Sequence, residues 1–460
     1  MRIQTLAAAL IAVPALAAVV GPYWLGERAE LAYRTTLAEI QGQPQVMQVL
    51  HADYRRGWFS SKASLELVPG TADQGTDLRL RVDSDIAHGP RSLAGLTWPP
   101  VLAEIRSRLA LEHPEFHLEG VDIDTQLAWD GGGASQFKLP AMDWHATGEA
   151  PGLRSAAATG LVRFEPGGSS TGHLDLPSLE LVGTDGAALL SLTGLQAEHS
   201  TTPWLPGILV GTGKLTVSEA YGSGATEPFV AEDLVFDFEA QPEDGLLGVR
   251  LSYGVGVLSV GEADYGPSRV QFRASRLDGA ALSALQQALG DLNAQGLPEA
   301  MAGIAAAGVL MKHMPALVAA DPQLALDPLE VVTPQGPIQG RLAVGIKGLT
   351  GTDLMVGAWL ERLVADGELS LPRAIAVALL AQAQRETLLE TLAAEGRAEA
   401  DLTQDEEQGL ESVAATQLDL LVQGGWVKDE GGRLTSVLRL ANGVLTINGK
   451  PLPLSDAVSF

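Results

Sequence analysis

Apolar and polar residues alternate one for one along much of this chain. Leu78, Leu80 and Val82 alternate with Asp77, Arg79, Arg81 and Asp83, and Val121, Ile123, Thr125, Leu127 and Trp129 alternate with Asp122, Asp124, Gln126 and Ala128. Leu234, Phe236 and Phe238 alternate with Asp233, Val235, Asp237 and Glu239, and Ile338, Leu342, Val344 and Ile346 share a face with Gly340. Side chains of a strand point to opposite faces in turn. Each run therefore predicts a strand with one apolar and one polar face, as in an antiparallel sheet wetted on one side. Gly131-Gly132-Gly133, Gly167-Gly168-Ser169, Asp185-Gly186, Asp244-Gly245 and Gly431-Gly432 predict the turns between strands. Near the end, Arg433 to Leu440 returns through Asn442-Gly443 into Val444 to Ile447, a hairpin signature.

Helical spacing is rarer and falls between the strand blocks. It predicts helices from Glu27 to about Ile40 and from Trp98 to Leu111, the latter opening with Pro99-Pro100 and presenting Val101, Leu102, Ile105 and Leu109 on one face. Asp278 to Asn293 places Leu282, Leu285 and Leu289 together. Leu297 to Ala320 is rich in Ala and Met. Lys312, His313 and Pro315 interrupt it, so it reads as a helix lying in a sheet concavity rather than a membrane span. A last helical zone runs from Gly351 to about Gln423, with breaks at Pro372, Gly396 and Gly409. The fold class expected is α+β: large, mostly antiparallel twisted sheets with a few packed helices, preceded by an N-terminal apolar helix. Strand pairs of similar character recur without a period that can be fixed.

The start of the chain fits neither pattern. Arg2 is followed by an uncharged run from Ile3 to Gly26, and Glu27 is the first acidic residue. The 20 residues from Leu6 to Leu25 would reach about 30 Å as a helix, the thickness of a bilayer's hydrocarbon layer. Ala15-Leu16-Ala17 offers a signal-peptidase-like site, the rival reading. Apolar character continues past it through Val19, Val20, Tyr23, Trp24 and Leu25, which favours an uncleaved anchor with an aromatic rim. Residues 1–26 are thus expected to be a membrane anchor or signal segment, and 27–460 a β-rich region outside the cytoplasm, with a sub-boundary near 277–335.

Composition narrows the chemistry. With 30 basic and 56 acidic residues the net charge is −26, which repels phosphate backbones and anionic headgroups. Nucleic acid and docking to anionic membranes through basic patches are therefore discounted. The chain has no cysteine, so disulfides, thiolate nucleophiles and zinc–thiolate sites are excluded. Its 52 glycines and 26 prolines, spread evenly, suit a strand-rich chain with many turns.

The motifs that could carry chemistry fail on context. Gly168-Ser169-Ser170-Thr171-Gly172 spells G-x-S-x-G, but a nucleophile elbow needs a helix after it, and Leu174, Leu176 and Pro177 read as a strand. Gly211-Thr212-Gly213-Lys214 misses a phosphate loop at Ile208 and Leu215. His113 and His117 have zinc spacing only on a helix, which Pro114 opposes. Asp122 and Asp124 read as a solvated strand face, and Asp405, Glu406 and Glu407 as the acidic first turn of a helix. No catalytic, cofactor-binding or metal-ligating residue is expected.

Tyr54-Arg55-Arg56-Gly57-Trp58-Phe59-Ser60-Ser61, taken with the N-terminal apolar segment and Gly21, resembles the YdgA-like family of Gram-negative envelope proteins, a domain of unknown function. Four further segments fit in order: Ile86-Ala87-His88-Gly89-Pro90, Leu277-Asp278-Gly279-Ala280-Ala281-Leu282, Pro315 through Thr333-Pro334-Gln335-Gly336, and Gly443-Val444-Leu445-Thr446-Ile447-Asn448-Gly449-Lys450-Pro451. The resemblance implies an inner-membrane or periplasmic location, with the bulk periplasmic. It also implies kinship with AsmA-like sheets that enclose an apolar trough, and it supplies no catalytic residue. From the residues themselves, Gly57 lets the chain turn and Trp58-Phe59 is expected as a buried anchor between the first helix and the first strand. Trp58 and His88 are the candidate binding residues. Two functions are expected: a non-enzymatic envelope protein with an apolar groove for lipid, or a scaffold that binds other envelope proteins.

Overall fold

The computed structural model describes residues 47–69, 79–88, 101–113, 116–144, 151–223, 227–294, 299–349, 361–394 and 404–453, with helical positions 27, 30, 31, 33, 34, 37, 38, 40 and 41. The expected anchor at 1–26 lies outside these residues, as do Gly89-Pro90, Pro99-Pro100, Gly396 and Thr403. The chain divides into two compact units, residues 1–223 with 286–307, and residues 224–285 with 308–460.

The first unit is an antiparallel meander. It contains β1 (Met47–Arg56), β2 (Ser60–Pro69), β3 (Arg79–His88), β4 (Ala103–His113), β5 (Phe116–Leu127), β6 (Gly133–Leu139), β7 (Met142–Trp144), β8 (Gly152–Ser155), β9 (Ala158–Phe164), β10 (Ser170–Val182), β11 (Ala188–Leu205) and β12 (Ile208–Gly222). Alternation sorts its two faces. Leu65, Val82, Leu109 and Val121 sit opposite one another from β2 to β5. On this face Ala63, Ile86 and Ala103 are buried, and Tyr33, Tyr54, Ile105 and Leu127 pack against them. The polar face carries cross-strand ion pairs Lys62–Asp85, Arg106–Asp124 and Arg108–Asp122, the arrangement that favours opposite charges on neighbouring strands.

The second unit contains β13 (Phe229–Glu243), β14 (Leu246–Val255), β15 (Val257–Val260), β16 (Ala263–Tyr265), β17 (Ser268–Asp278), β18 (Gln323–Thr333), β19 (Gly336–Ile346), β20 (Leu363–Pro372), β21 (Lys428–Asp429), β22 (Arg433–Ala441), β23 (Val444–Ile447) and β24 (Lys450–Pro453). Its main run of neighbours is β13, β14, β17, β18, β19, β20, β22, β23 and β24, all antiparallel. Between β17 and β18 the chain makes helices α1 (Gly279–Ala294) and α2 (Glu299–Val318). Between β20 and β22 it makes α3 (Arg373–Ala394) and α4 (Gln404–Gln423). Asp278 caps α1: the Ala281 N–H donates to its carboxylate at 2.9 Å. Helices α3 and α4 pack together and bury Ala414 and Leu418.

Four expectations are corrected. Residues 103–113 form strand β4, not a helix. Ala103, Ile105, Ser107 and Leu109 pair with β3 on one side and β5 on the other, so period-two alternation overrides the helical spacing. The zone after Gly351 holds strand β20 before its helices, and Gly409 lies inside α4 rather than breaking it. Residues 299–318 are helical as expected but are not packed into a sheet: Met301, Ile304, Leu310 and Met311 are all exposed. Trp58 is not buried. It is 49% exposed, because the loop Gly57-Trp58-Phe59 turns the chain at the end of β1 and leaves both rings at its tip.

Candidate functional site

In the second unit one sheet face is apolar from strand to strand. At one register Phe238, Leu251, Phe272, Leu326, Leu342, Gly367, Leu438 and Ile447 follow one another across β13, β14, β17, β18, β19, β20, β22 and β23. Two residues along, Ala240, Val249, Ala274, Leu324, Val344, Ala365, Leu440 and Leu445 form a parallel row. At the usual strand spacing of ~4.8 Å these rows run for roughly 34 Å. A register shift between Leu326 and Leu329 returns Leu329 and Val331 to the same face, and the Gln271 side chain donates to the Asp327 carbonyl at 2.8 Å inside the bulge.

The opposite face shows why this one was left apolar. It takes the charges: Arg250 pairs with Glu239 at 2.6 Å, Arg341 with Asp366 at 3.3 Å and Glu368 at 3.5 Å, and Arg439 with Asp366 at 3.6 Å. In a closed core the apolar rows would be covered. Here Leu324 is 62% exposed, Phe272 and Tyr253 46% each, and Leu342 40%. Val249, Leu251, Phe272, Ala274, Leu324, Leu326, Leu342 and Val344 line a cavity of about 550 Å³ whose walls are almost wholly apolar. Gly367 keeps the floor low, since a Cβ there would stand 3.0 Å from Leu342 Cδ1.

The first unit's predicted binding residues lie at one end of its sheet. The His88 N–H donates to the Phe59 carbonyl at 3.0 Å, which ties the end of β3 to the Trp58 loop. The two side chains then diverge. Trp58 faces outward, while His88 is 6% exposed with Nε2 2.9 Å from Ser61 Oγ on the inward face. Tyr54 lies on the same face, its ring 5.0 Å from that of Tyr33. Burial pushes the Tyr54 phenol up from its ordinary pKa, with Ser61 pulling the other way, and burial followed by Asp53 raises Tyr33. Hydroxyl pairs Ser84–Ser107 (2.7 Å) and Thr125–Ser135 (2.8 Å) satisfy one another on this face.

The polar face of β1 to β5 forms a basin of about 840 Å³ lined by alternating cations and carboxylates, Asp122 and Asp124 among them. Burial pushes the Asp83 carboxyl up, but hydrogen bonds from Ser64 and Arg81, with the Arg81 charge, outweigh it and hold the pKa below the usual carboxylate value. Ser170 begins strand β10, with its Oγ 2.8 Å from Thr201 Oγ1 and 3.3 Å from His199 Nε2. A strand follows it where an elbow needs a helix. Gly211 to Lys214 lie within β12, and His113 and His117 lie on separate strands, β4 and β5. Among the described residues no group of three metal-ligating side chains converges.

The trough was missed as a set of named residues because no motif marks it. The signal was present as alternation in Leu234–Phe238 and Ile338–Ile346, whose apolar sides both face it. Segments that carry the family resemblance do structural work instead. Asp278 caps α1, the Thr333 hydroxyl donates to the Gly336 carbonyl at 2.8 Å across the β18–β19 turn, and Asn448 donates to the Trp426 carbonyl at 2.8 Å.

A family model, DUF945, described as a bacterial protein of unknown function, matches residues 2–455. No curated protein and no solved structure matches the chain.

Proposed function

We propose that this chain, which belongs to the DUF945 family of bacterial proteins of unknown function, is a non-enzymatic cell-envelope protein that seats the acyl chain of a lipid on the apolar face of its second unit. It is held at the inner membrane through residues 1–26, with its bulk in the periplasm. The observation that carries the reading is the uncovered apolar face itself. Leu324, Phe272 and Leu342 are exposed, and contiguous apolar surface of this kind marks an interaction site. Each methylene withdrawn from water onto it contributes about 0.8 kcal/mol. Neither row carries a titratable group, so a chain seated on them is held by apolar contact alone. The finer resemblance to YdgA-like proteins and to AsmA-like troughs points the same way by analogy of architecture.

The non-enzymatic part of the reading draws on the two serine–histidine contacts. Ser61 is 2% exposed and closed to substrate. Ser170 shares its hydroxyl with Thr201 within a strand ladder.

The test compares lipid retained by the full-length protein and by Leu324→Glu/Leu342→Glu after purification in lipid-free detergent. Both positions are exposed, so the two carboxylates should leave the melting temperature within a few degrees of the parent. The parent should retain extractable lipid in near-stoichiometric amount and the variant should lose it. Equal lipid in both would sink the proposal. A co-purifying polypeptide lost in the variant, with lipid unchanged, would favour the scaffold instead.

A further inference from the structure

We infer that the β1–β2 hairpin tip, Trp58-Phe59, is a second membrane contact of this chain, seated among the headgroups and upper acyl chains of a zwitterionic bilayer. The inference rests on the proposed anchoring through residues 1–26.

The tip presents two large rings to solvent, Trp58 at 49% and Phe59 at 57% exposure. They are held firmly. The Gly57 N–H donates to the Ser60 carbonyl at 2.8 Å, and the His88 N–H donates to the Phe59 carbonyl at 3.0 Å. A Cβ on Gly57 would meet the Ser60 carbonyl oxygen at 2.5 Å, so glycine is required for this turn. Rigid presentation means that little conformational freedom is lost when the rings leave water.

The tip also lies close to the first helix. Arg56, next to the loop, pairs with Glu30 at 3.3 Å. Tyr33, three residues on, stacks on Tyr54 and donates to the Ser64 carbonyl at 3.4 Å, farther from the tip. Glu30 therefore lies nearer the tip than Tyr33 does. Leu25 is five residues before Glu30, and a fully extended chain of that length reaches at most about 18 Å. On the proposed anchoring, a bilayer that holds residues 1–26 is therefore within reach of the Trp-Phe pair. Aromatic rings with a polar edge favour the membrane–water boundary.

The local charges select the lipid class. Arg55 pairs with Asp53, Arg56 with Glu30 and Lys62 with Asp85. The tip therefore offers no surplus cation to anionic headgroups, and the acidic chain repels them. Aromatic partitioning into a zwitterionic interface remains.

The cysteine-free chain allows a direct test. Full-length Phe59→Cys is labelled with an environment-sensitive fluorophore and reconstituted into phosphatidylcholine vesicles carrying a shallow nitroxide-labelled phosphatidylcholine. Trp58→Cys serves if the first variant does not fold. The control is Glu112→Cys, paired with Arg79 at the far end of β3 and β4, nine residues from the His88–Ala103 pair and so roughly 30 Å away. The expected result is at least two-fold quenching at the tip and little at 112. Vesicle-bound protein with no quenching at the tip overturns this inference alone. Equal quenching at both positions overturns it too, since the unit would then lie flat. Protein that fails to float with vesicles overturns the anchoring and this inference together.

Discussion

Leu434 in β22 is 1% exposed and lies opposite Leu371 of β20. Truncation there leaves a cavity, and Leu434→Ala should cost about 2–5 kcal/mol, read from the denaturant midpoint. Trp58 sits at the other extreme. With half its surface already in water, Trp58→Ala should lower stability by about 1 kcal/mol or less, well short of the 3–5 kcal/mol of a buried aromatic. A loss of that larger size would show the ring to be a packing wedge after all. Gly57→Ala should be worse than Trp58→Ala despite adding one methyl, since the new carbon strikes a backbone oxygen. Asp83 gives a pH prediction. Its pKa is depressed in the folded state, so its contribution is present above the unfolded value of about 3.9 and is lost as pH falls through the folded value. Asp83→Asn should lower stability modestly at pH 7, because water screens this half-exposed group. The difference from the parent should shrink in acid, and a difference that grows below pH ~4 would contradict the assignment.

At the scale of elements, helix α2 poses the sharpest question. Met301–Val318 is the one helix among the described residues long and apolar enough to cross a membrane, and little of it is buried. The strands on either side answer for topology. β17 and β18 pair directly, from Ser275–Gln323 to Arg269–Glu330, so the chain leaves and re-enters the sheet on one side of any bilayer. A single crossing by α2 would tear that ladder apart. A return crossing by α1 is opposed by its 16 residues, about 24 Å of helix, and by Gln286, Gln287 and Asp291 within it. On the proposed anchoring through residues 1–26, a C-terminal reporter should therefore be active outside the cytoplasm. A reporter active only inside would refute the topology. β4 teaches the complementary lesson. Val101, Leu102, Ile105 and Leu109 satisfy a helical spacing, yet Ile105, Ser107 and Leu109 satisfy a period of two, and pairing with β3 and β5 decides between them.

At the scale of the whole molecule, the described residues place charge and apolar surface on opposite faces of long sheets, and the apolar face of the second unit is open. Alternation by itself determined the strands, their two-faced character and most turns, because side-chain direction in a strand is set by the backbone alone. Asn442-Gly443 is a clear case: both residues adopt positive φ, at 52° and 72°, as the hairpin they signal requires. The absence of cysteine and the net charge of −26 were equally legible, being sums over residues. The tertiary structure alone decided which apolar faces are covered. Leu342 and Val82 carry the same alternating signature, but Val82 stands in a face capped by Tyr33 and Tyr54 while Leu342 borders an open trough. Burial is a property of two surfaces brought together, and the second surface lies tens to hundreds of residues away in the chain. The same reason hid the exposure of Trp58 and the pairing of its neighbour Arg56 with Glu30: a single strand's pattern records which way a side chain points, and says nothing of what, if anything, it meets there.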